Sequence, residues 1–335
     1  GIGAAGEVID AIEPLHLQEC DDLRAACAVM ADTDDRPRAV DLGQPQRDLH
    51  HRDVHAGAAS QVDVGQRGLP GLAHIQQHRL RSAFVGRVAD DQLGAVFAHD
   101  IRATGVDYTT AANIGGPPTG RCLIVVTPDG DRTMNTYLGS AQELAASDLD
   151  HDMVRDSAWL YLEGYLWDPM VPRAAMREAI AVARAAGRKV AFTLSDTFCV
   201  LGHRADFLEL LAGHVDLMFG NENEVKALYE TDDIEYALDE LAKSATIAVV
   251  TRSEKGAVVL AGGDRHLVPA HPVAQVVDTT GAGDLYAAGF LAGLVAGRSL
   301  PDCAAQGALA AAEIISHYGA RPEADLLELV RERFE

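Results

Sequence analysis

From Ala83 to the C-terminus, short runs rich in β-branched residues alternate with Ala- and Leu-rich stretches of about ten to fifteen residues. The short runs are typical of buried strands and the longer ones of amphipathic helices, so the alternation predicts a mostly parallel sheet covered by helices. The predicted strands are 83–88, 121–127, 158–162, 189–194, 215–219, 247–251 and 257–260. The predicted helices are 91–104, 172–186, 222–229, 234–243, 282–296, 301–317 and 323–331.

The stretch 119–137 has the pattern of a β-hairpin. Residues 128–131 read Pro-Asp-Gly-Asp and lie between two β-like runs, and such residues are typical of a hairpin turn. We therefore expect a ribbon at 119–137 that stands off the main sheet as a small β lid.

Residues 1–82 differ in composition from the rest of the chain. They hold six of the 13 histidines and no lysine, and their one sizeable apolar run is 25–31. This is too little apolar sequence for a strand-helix-strand unit. We therefore divide the chain into an atypical N-terminal segment, 1–82, and a main domain, 83–335.

The net charge of the chain limits the classes of molecule that it can be expected to bind. The 335 residues carry a formal net charge of −22, from 28 basic and 50 acidic residues, and the basic residues form no cluster. A nucleic-acid or anionic-membrane partner is therefore not expected. No stretch approaches the roughly 20 apolar residues of a membrane span, and the start is unlike a signal peptide. The sequence predicts a cytoplasmic protein with five reduced cysteines and no CxxC pair.

Residues 276–284 form the most informative segment, Val-Val-Asp-Thr-Thr-Gly-Ala-Gly-Asp, and an Ala/Leu/Gly helix follows. Glycines let backbone N–H groups converge, and the helix N-terminus adds partial positive charge, so this turn can hold a phosphate or a developing anion. An isolated acid such as Asp284 is usually a helix cap. Here Asp278 and Asp284 bracket the turn, and an acid beside an anion hole can accept a proton from a substrate hydroxyl.

The run DTTGAGD resembles the C-terminal signature of the ribokinase-like (PfkB) carbohydrate and nucleoside kinases. The resemblance implies a three-layer α/β fold with helices on both faces of the sheet and a small β lid. It implies that Asp284 is the catalytic base and contacts the substrate. It also assigns the γ-phosphate anion hole to Gly281, Ala282 and Gly283, and a nucleotide contact to Thr279.

Two further segments agree with the resemblance. Residues 221–224, Asn-Glu-Asn-Glu, match the family's NxxE, which implies that Asn221 and Glu224 arrange Mg²⁺ and the phosphates through water. NxxE in isolation is usually a helix cap. Residues 251–256 resemble the nucleotide-contacting TxGxxG turn, which implies contacts from Thr251, Arg252 and Gly256 with ATP, although Ser253 stands where the family usually has glycine.

The C-terminal stretch 308–322 resembles the family's last helix and the turn beside the adenine. In many relatives that turn helps to enclose a monovalent cation. The resemblance therefore implies a K⁺ site at Asp278, Thr280 and Gly319.

The resemblance covers 83–335, about three quarters of the chain. Within the family, residues 194–199, Leu-Ser-Asp-Thr-Phe-Cys, and the ending 315–322 resemble bacterial adenosine-kinase-type members. We therefore expect ATP-dependent phosphorylation of a primary hydroxyl of a small molecule, specifically adenosine to AMP, and a homodimer through the lid. The alternatives are a ribose- or fructose-type sugar kinase of the same fold and a non-catalytic nucleotide-binding relative.

The N-terminal segment lacks what the family places there. A strand with a substrate-binding Asp and a glycine-rich GGxxxN segment are expected, and residues 60–70 contain no such segment. Our hypothesis is that much of 4–82 is a frame-shifted reading of an ordinary family N-terminus, and the alternative is natural divergence. In either case this region should supply the first strands and part of the lid. Asp10, in a strand-like Val-Ile-Asp run, is the candidate substrate-binding acid.

Two other patterns in this segment suggest different chemistry. Residues 1–6 match GxGxxG, and Glu19 and Asp21 follow at roughly the distance of a ribose-binding acid, so a dinucleotide-binding dehydrogenase is a formal alternative. No strand precedes that match. Metal-ligand spacing occurs at His50, His51 and His55 and at His74 and His78, but no glutamate lies between the paired histidines, which favours coincidence.

Overall fold

The computed structural model of the chain describes residues 81–126 and 132–334, together with the backbones of three strands in the preceding segment. The turn predicted at 128–131, the candidate acid Asp10 and the GxGxxG match at 1–6 lie outside the described residues.

The described residues form two β-sheets. The twelve strands are β1 (Leu17–Cys20), β2 (Cys27–Ala31), β3 (Gln61–Asp63), β4 (Arg81–Val85), β5 (Arg121–Val126), β6 (Arg132–Tyr137), β7 (Trp159–Glu163), β8 (Lys189–Thr193), β9 (Leu217–Asn221), β10 (Ile247–Thr251), β11 (Ala257–Ala261) and β12 (Asp264–Val268).

Helices connect and cover these strands. The described residues contain α1 (Gln92–Ala103), α2 (His151–Asp156), α3 (Met170–Ala185), α4 (Thr197–Gly213), α5 (Glu222–Leu228), α6 (Ile234–Ser244), α7 (Ala282–Val295), α8 (Leu300–Ile314) and α9 (Leu326–Phe334). None of them is long and apolar enough to cross a membrane.

The larger sheet has the strand order β12-β11-β10-β9-β8-β7-β2-β4. The four adjacent strands β7 to β10 are parallel to one another, as the alternation of short strands and helices predicts. β2 and β11 are antiparallel to both of their neighbours, so the remaining strands of the sheet all run in one direction. The predicted α/β fold with a mostly parallel central sheet is confirmed.

The two faces of this sheet pack against different helices. In β9, Met218 belongs to the core shared with α3 to α6, whereas its neighbours Leu217 and Phe219 belong to the core shared with α7 and α8. Successive side chains of a strand point to opposite faces, so buried residues in both registers produce three layers. This explains why these strands are continuous apolar runs rather than alternating ones.

The smaller sheet has the order β3-β1-β5-β6. β5 and β6 pair antiparallel from Arg121–Tyr137 to Val126–Arg132, and β1 pairs antiparallel with β5. The base of this ribbon is tied to α1, because the carboxylate of Asp91, its N-cap, accepts hydrogen bonds from the N–H (2.9 Å) and the hydroxyl (2.6 Å) of Thr119.

The C-terminal helices differ from their predicted bounds. The helix predicted at 301–317 ends at Ile314, and the one predicted at 323–331 runs from Leu326 to Phe334. Between them the chain turns at Gly319, whose φ of +96° is outside the helical region. The Ala- and Ile-rich run 308–315 extends past the last turn of α8, so the sequence pattern does not mark Ile314 as the last helical residue.

Candidate active site

The predicted site residues lie at the ends of β9 and β10 and at the start of α7. Asn221 and Thr251 are the last residues of two parallel strands and are direct partners in the register. Their following turns are therefore adjacent. In open α/β sheets, the crevice outside the carboxyl ends of the strands is where ligands bind.

The turn before α7 has the backbone that an anion hole requires. Gly281 is the N-cap, with φ of +79°, and has no side chain to cap the helix. The N–H of Ala282 donates to the carbonyl of Thr279 at 3.3 Å, a long hydrogen bond that closes the turn. A Cβ added at Gly281 would lie 2.9 Å from the Cβ of Ala320, whereas one added at Gly283 would meet no atom within 4 Å. The turn is packed on one side and open at Gly283, which leaves space for an anion.

Asp278 fixes this turn through three hydrogen bonds. Its side chain is fully buried, and its Oδ1 accepts the N–H (2.9 Å) and hydroxyl (2.6 Å) of Thr280. Its Oδ2 accepts the N–H of Gly319 at 3.0 Å. The structure thus brings together the three residues expected at a K⁺ site. Asp278 forms no ion pair with any described basic residue, and a buried carboxylate without a counter-charge suits a monovalent cation.

Asp284 lies in the first turn of α7 and is partly buried. Its charge and that of Glu163 act on Tyr161, and burial together with these two charges raises the pKa of the Tyr161 hydroxyl well above its ordinary value. Asp284 and Glu163 thus both act on the hydroxyl of Tyr161 in β7, and Glu163 is buried at the end of that strand. The sequence analysis missed Glu163. Its available signal is an acid placed directly after the apolar strand 158–162.

Asn221 and Glu224 form a reciprocal capping box at the start of α5. The side-chain oxygen of Asn221 accepts the N–H of Asn223 and of Glu224, both at 2.9 Å. The Oε2 of Glu224 accepts the N–H of Asn221 at 2.9 Å, and its Oε1 accepts the Asn221 side-chain amide. Asn221 and Glu224 therefore cap α5, as the residues of an isolated NxxE usually do.

Oxygen donors such as these suit Mg²⁺, but both carboxylate oxygens of Glu224 already accept hydrogen bonds from Asn221. These residues therefore fit a role in which Glu224 reaches a metal through water. Among residues 81–126 and 132–334, no group of three or more His, Cys, Asp and Glu side chains is arranged to hold a metal ion.

The turn after β10 is tightly constrained. The N–H of Arg252 donates to the carbonyl of Gly256 at 2.7 Å. Gly256 has φ of +83°, and a Cβ there would lie 2.0 Å from the carbonyl oxygen of Val268, so only glycine fits. Ser253 adopts φ of +51°, the left-handed conformation that glycine adopts readily. Ser253 therefore occupies this turn in a conformation that is strained for a residue other than glycine.

Glu222 joins this turn to α5. Its carboxylate accepts hydrogen bonds from the Nζ of Lys226 (2.8 Å) and the Nε of Arg252 (3.0 Å). These two contacts hold the pKa of Glu222 at about 2, against an ordinary value of 4.5. The expected phosphate contact of Arg252 therefore has to come from a guanidinium that is already paired through Nε.

Comparison with known proteins relates the chain to kinases. The model of the pfkB family carbohydrate kinases matches residues 72–325. A 5-dehydro-2-deoxygluconokinase from Geobacillus thermodenitrificans is 28% identical over 309 residues, which is 86% of this chain and 91% of that protein.

Two solved structures are more similar in sequence. The adenosine kinase from Sinorhizobium meliloti is 50% identical, with a TM-score of 0.77, over 78% of this chain and 81% of that one. A probable sugar kinase protein from Rhizobium etli is 47% identical, with a TM-score of 0.77, over 78% of this chain and 80% of that one.

Proposed function

The chain belongs to the pfkB family of carbohydrate kinases, and we propose that it transfers the γ-phosphoryl group of ATP to the 5′-hydroxyl of adenosine. ATP-dependent phosphoryl transfer to a carbohydrate or nucleoside is the activity of the family. The assignment of adenosine as the substrate is supported by the 50% identity to an adenosine kinase. The 47% identity to a probable sugar kinase keeps a sugar substrate as the second candidate.

An exposed aromatic side chain favours a nucleoside over a simple sugar. Phe198 lies in the first turn of α4, the helix that follows β8, and is 61% exposed. An aromatic ring in this position is a suitable stacking surface for a base. In the proposed complex a purine base stacks on this ring, whereas ribose and fructose have no base to place there.

In the proposed mechanism, Asp284 accepts the proton of the attacking hydroxyl as its oxygen bonds to the γ-phosphorus and ADP leaves. The N–H groups at 281–283 hold the charge that spreads over the γ-phosphoryl oxygens. Mg²⁺, when bound, would neutralise phosphate charge, with Glu224 acting on it through water. Asp278 keeps the N–H groups oriented through Thr280.

A substrate panel tests the assignment. Adenosine, inosine, ribose and fructose are each incubated with ATP and Mg²⁺, and ADP release is measured. The chain is assayed with residues 4–82 in the present and in the alternative reading frame, because substrate-binding residues are expected there. The proposal requires adenosine to give the highest kcat/KM in at least one of the two. Faster turnover of ribose or fructose would establish the sugar kinase, and ATP binding without turnover would establish a nucleotide-binding protein.

Asp284→Asn tests the catalytic base. Asparagine keeps the size and much of the capping ability, but it cannot accept the proton, so phosphoryl transfer should fall by about 10²-fold or more with little change in ATP affinity or Tm.

Asp302→Asn is the matched control, because Asp302 is an exposed first-turn acid of the neighbouring helix α8 and contacts Ser299. It should leave turnover unchanged. Near-normal turnover in Asp284→Asn would remove Asp284 from the mechanism.

A further inference from the structure

Glu313 is a buried carboxylate near the C-terminal end of α8, outside the set of predicted site residues. Its side chain is 9% exposed. Its Oε1 accepts hydrogen bonds from the backbone N–H groups of Glu323 (2.8 Å) and Ala324 (2.9 Å). The Nε2 of His317 lies 3.2 Å from the same oxygen. One carboxylate therefore ties both ends of the segment 315–324 to the helix.

The position of Glu313 is not explained by helix capping. A negative charge near a helix C-terminus is disfavoured by the helix dipole, and burial adds a desolvation cost. Its Oε2 is buried and accepts no hydrogen bond from the described residues. The three contacts of Oε1 have to offset these costs, and all three are made with the segment 315–324.

The segment that Glu313 holds forms one wall of the anion-hole turn. The N–H of Gly319 donates to Asp278 at 3.0 Å, and Ala320 packs so closely on Gly281 that no Cβ would fit there. The carbonyl of Ile315 accepts the N–H of Val277 at 2.8 Å. A shift of 315–324 would therefore move the backbone that presents the 281–283 amides.

We propose that Glu313 is a positioning residue for phosphoryl transfer, which acts by fixing the segment 315–324 against Asp278 and Gly281. This inference rests on the proposed function, in which the 281–283 amides hold the transferred phosphoryl group. A misplacement of about 1 Å caused by a change away from the chemistry can cost roughly 10²-fold in rate, so a clamp that prevents such a shift contributes to kcat.

The packing of α8 does not depend on Glu313. α7 and α8 approach each other through small residues, since a Cβ at Gly289 would lie 2.9 Å from the carbonyl of Gln306 and one at Gly307 would lie 2.7 Å from the carbonyl of Tyr286. These contacts lie about two turns from Glu313 along the helix. Loss of its carboxylate should therefore release the segment 315–324 and leave the helix pair in place.

The test compares Glu313→Ala with Glu313→Gln in the full chain, in whichever reading of residues 4–82 is active. Alanine should lower kcat by about 10- to 10²-fold, with a smaller change in KM for ATP, because a displaced anion hole weakens transition-state contacts most. It should also speed amide hydrogen exchange at 279–283 and 319–324. Glutamine keeps an oxygen that can accept both N–H groups, so it should recover most of kcat and of the exchange protection.

Asp216→Asn is the matched control. Asp216 is also a buried carboxylate that accepts a backbone N–H, from Val190 at 2.9 Å, but it lies at the N-terminal end of β9, opposite the carboxyl end where Asn221 lies. Its ion pairs are with Arg184 and Lys189. Asp216→Asn should lower Tm and leave both kcat and exchange at 279–283 unchanged.

Two results are decisive. If Glu313→Ala lowers Tm but leaves kcat and exchange at 279–283 at the unsubstituted values, Glu313 is only a structural residue and the inference is wrong. If the unsubstituted chain phosphorylates no substrate in either reading frame, the proposed function fails. The exchange measurement then still decides whether Glu313 orders the 279–283 backbone.

Discussion

The substitution Gly281→Ala tests whether the backbone at the start of α7 has to be glycine for phosphoryl transfer. Gly281 has φ of +79°, where an L-residue is disfavoured by about 1–2 kcal/mol. The added Cβ would lie 2.9 Å from the Cβ of Ala320, well inside an ordinary contact of about 3.5–4.0 Å. Ala320 is fully buried, so relief has to come from a shift of the turn.

Both stability and rate should therefore change. The free energy of unfolding should fall by more than the ~1–2 kcal/mol of backbone strain. A loss of this size lowers Tm by a few degrees. Because the shift misdirects the 281–283 amides, phosphoryl transfer should fall by roughly 10²- to 10³-fold, the effect of losing one anion-hole donor. Thermal unfolding and single-turnover ADP formation measure the two quantities, in whichever reading of residues 4–82 is active.

Gly297→Ala is the control for backbone strain. Gly297 follows the other end of α7, has φ of +74°, and a Cβ there would meet no atom within 4 Å. The substitution should cost about the same 1–2 kcal/mol without an effect on the rate. If the Gly281→Ala variant transfers the phosphoryl group as fast as the Gly297→Ala variant, the close contact with Ala320 does not control the anion hole and the reasoning fails.

Three further predictions concern the cation, the pH and the N-terminus. ADP release should rise when K⁺ replaces a bulky organic cation at constant ionic strength, because a cation at Asp278 would fix the turn at Gly319, and a flat response would mean that no such site operates. The pKa of Glu222 is about 2 in the fold and 4.5 ordinarily, so its ion pairs should stabilise the fold fully above pH 4.5 and progressively less toward pH 2. The difference in unfolding free energy between the chain and Glu222→Gln should shrink over that interval, and a constant difference would contradict the assignment. If residues 4–82 are out of frame, the present chain should be poorly soluble and inactive and the alternative-frame chain soluble and active, whereas equal activities would identify a genuine substrate-binding segment.

The parallel core of the fold could be predicted because its strands are short apolar runs with clear ends. The strand predicted at 247–251 is reproduced as β10, and the one at 257–260 differs by one residue. α4 was missed because it shows no apolar stripe. Phe198 and Leu201 are exposed on it, and His203 interrupts it with non-helical dihedral angles. β12 was missed because only Val268 in it is buried, so its sequence is that of a polar edge.

The part of the site that is contiguous in sequence could be recognised, and the part assembled by tertiary contacts could not. The residues of the turn at Gly281 lie within a few positions of one another in the sequence, and so do the residues of the capping box of Asn221 and Glu224. Glu163 gains significance only because it and Asp284 act on the same hydroxyl, that of Tyr161. Glu313 gains significance only because residues ten and eleven positions later return to it. A lone glutamate at the end of a strand or helix carries no pattern that distinguishes either role from a solvated side chain.

The net charge of −22 is compatible with the binding of an anionic nucleotide because the relevant field is local. Surface charges are largely screened beyond about 8 Å at physiological ionic strength, whereas the 281–283 amides would contact the phosphates directly at a helix N-terminus. Arg252 and Lys226 add positive charge next to Asn221, and Glu222 holds both in place. An extended polyanion would need a continuous basic surface and would meet the acidic exterior. A nucleotide phosphate at the start of α7 would contact the 281–283 amides directly, so the binding of ATP does not require a basic exterior, whereas the binding of nucleic acid does.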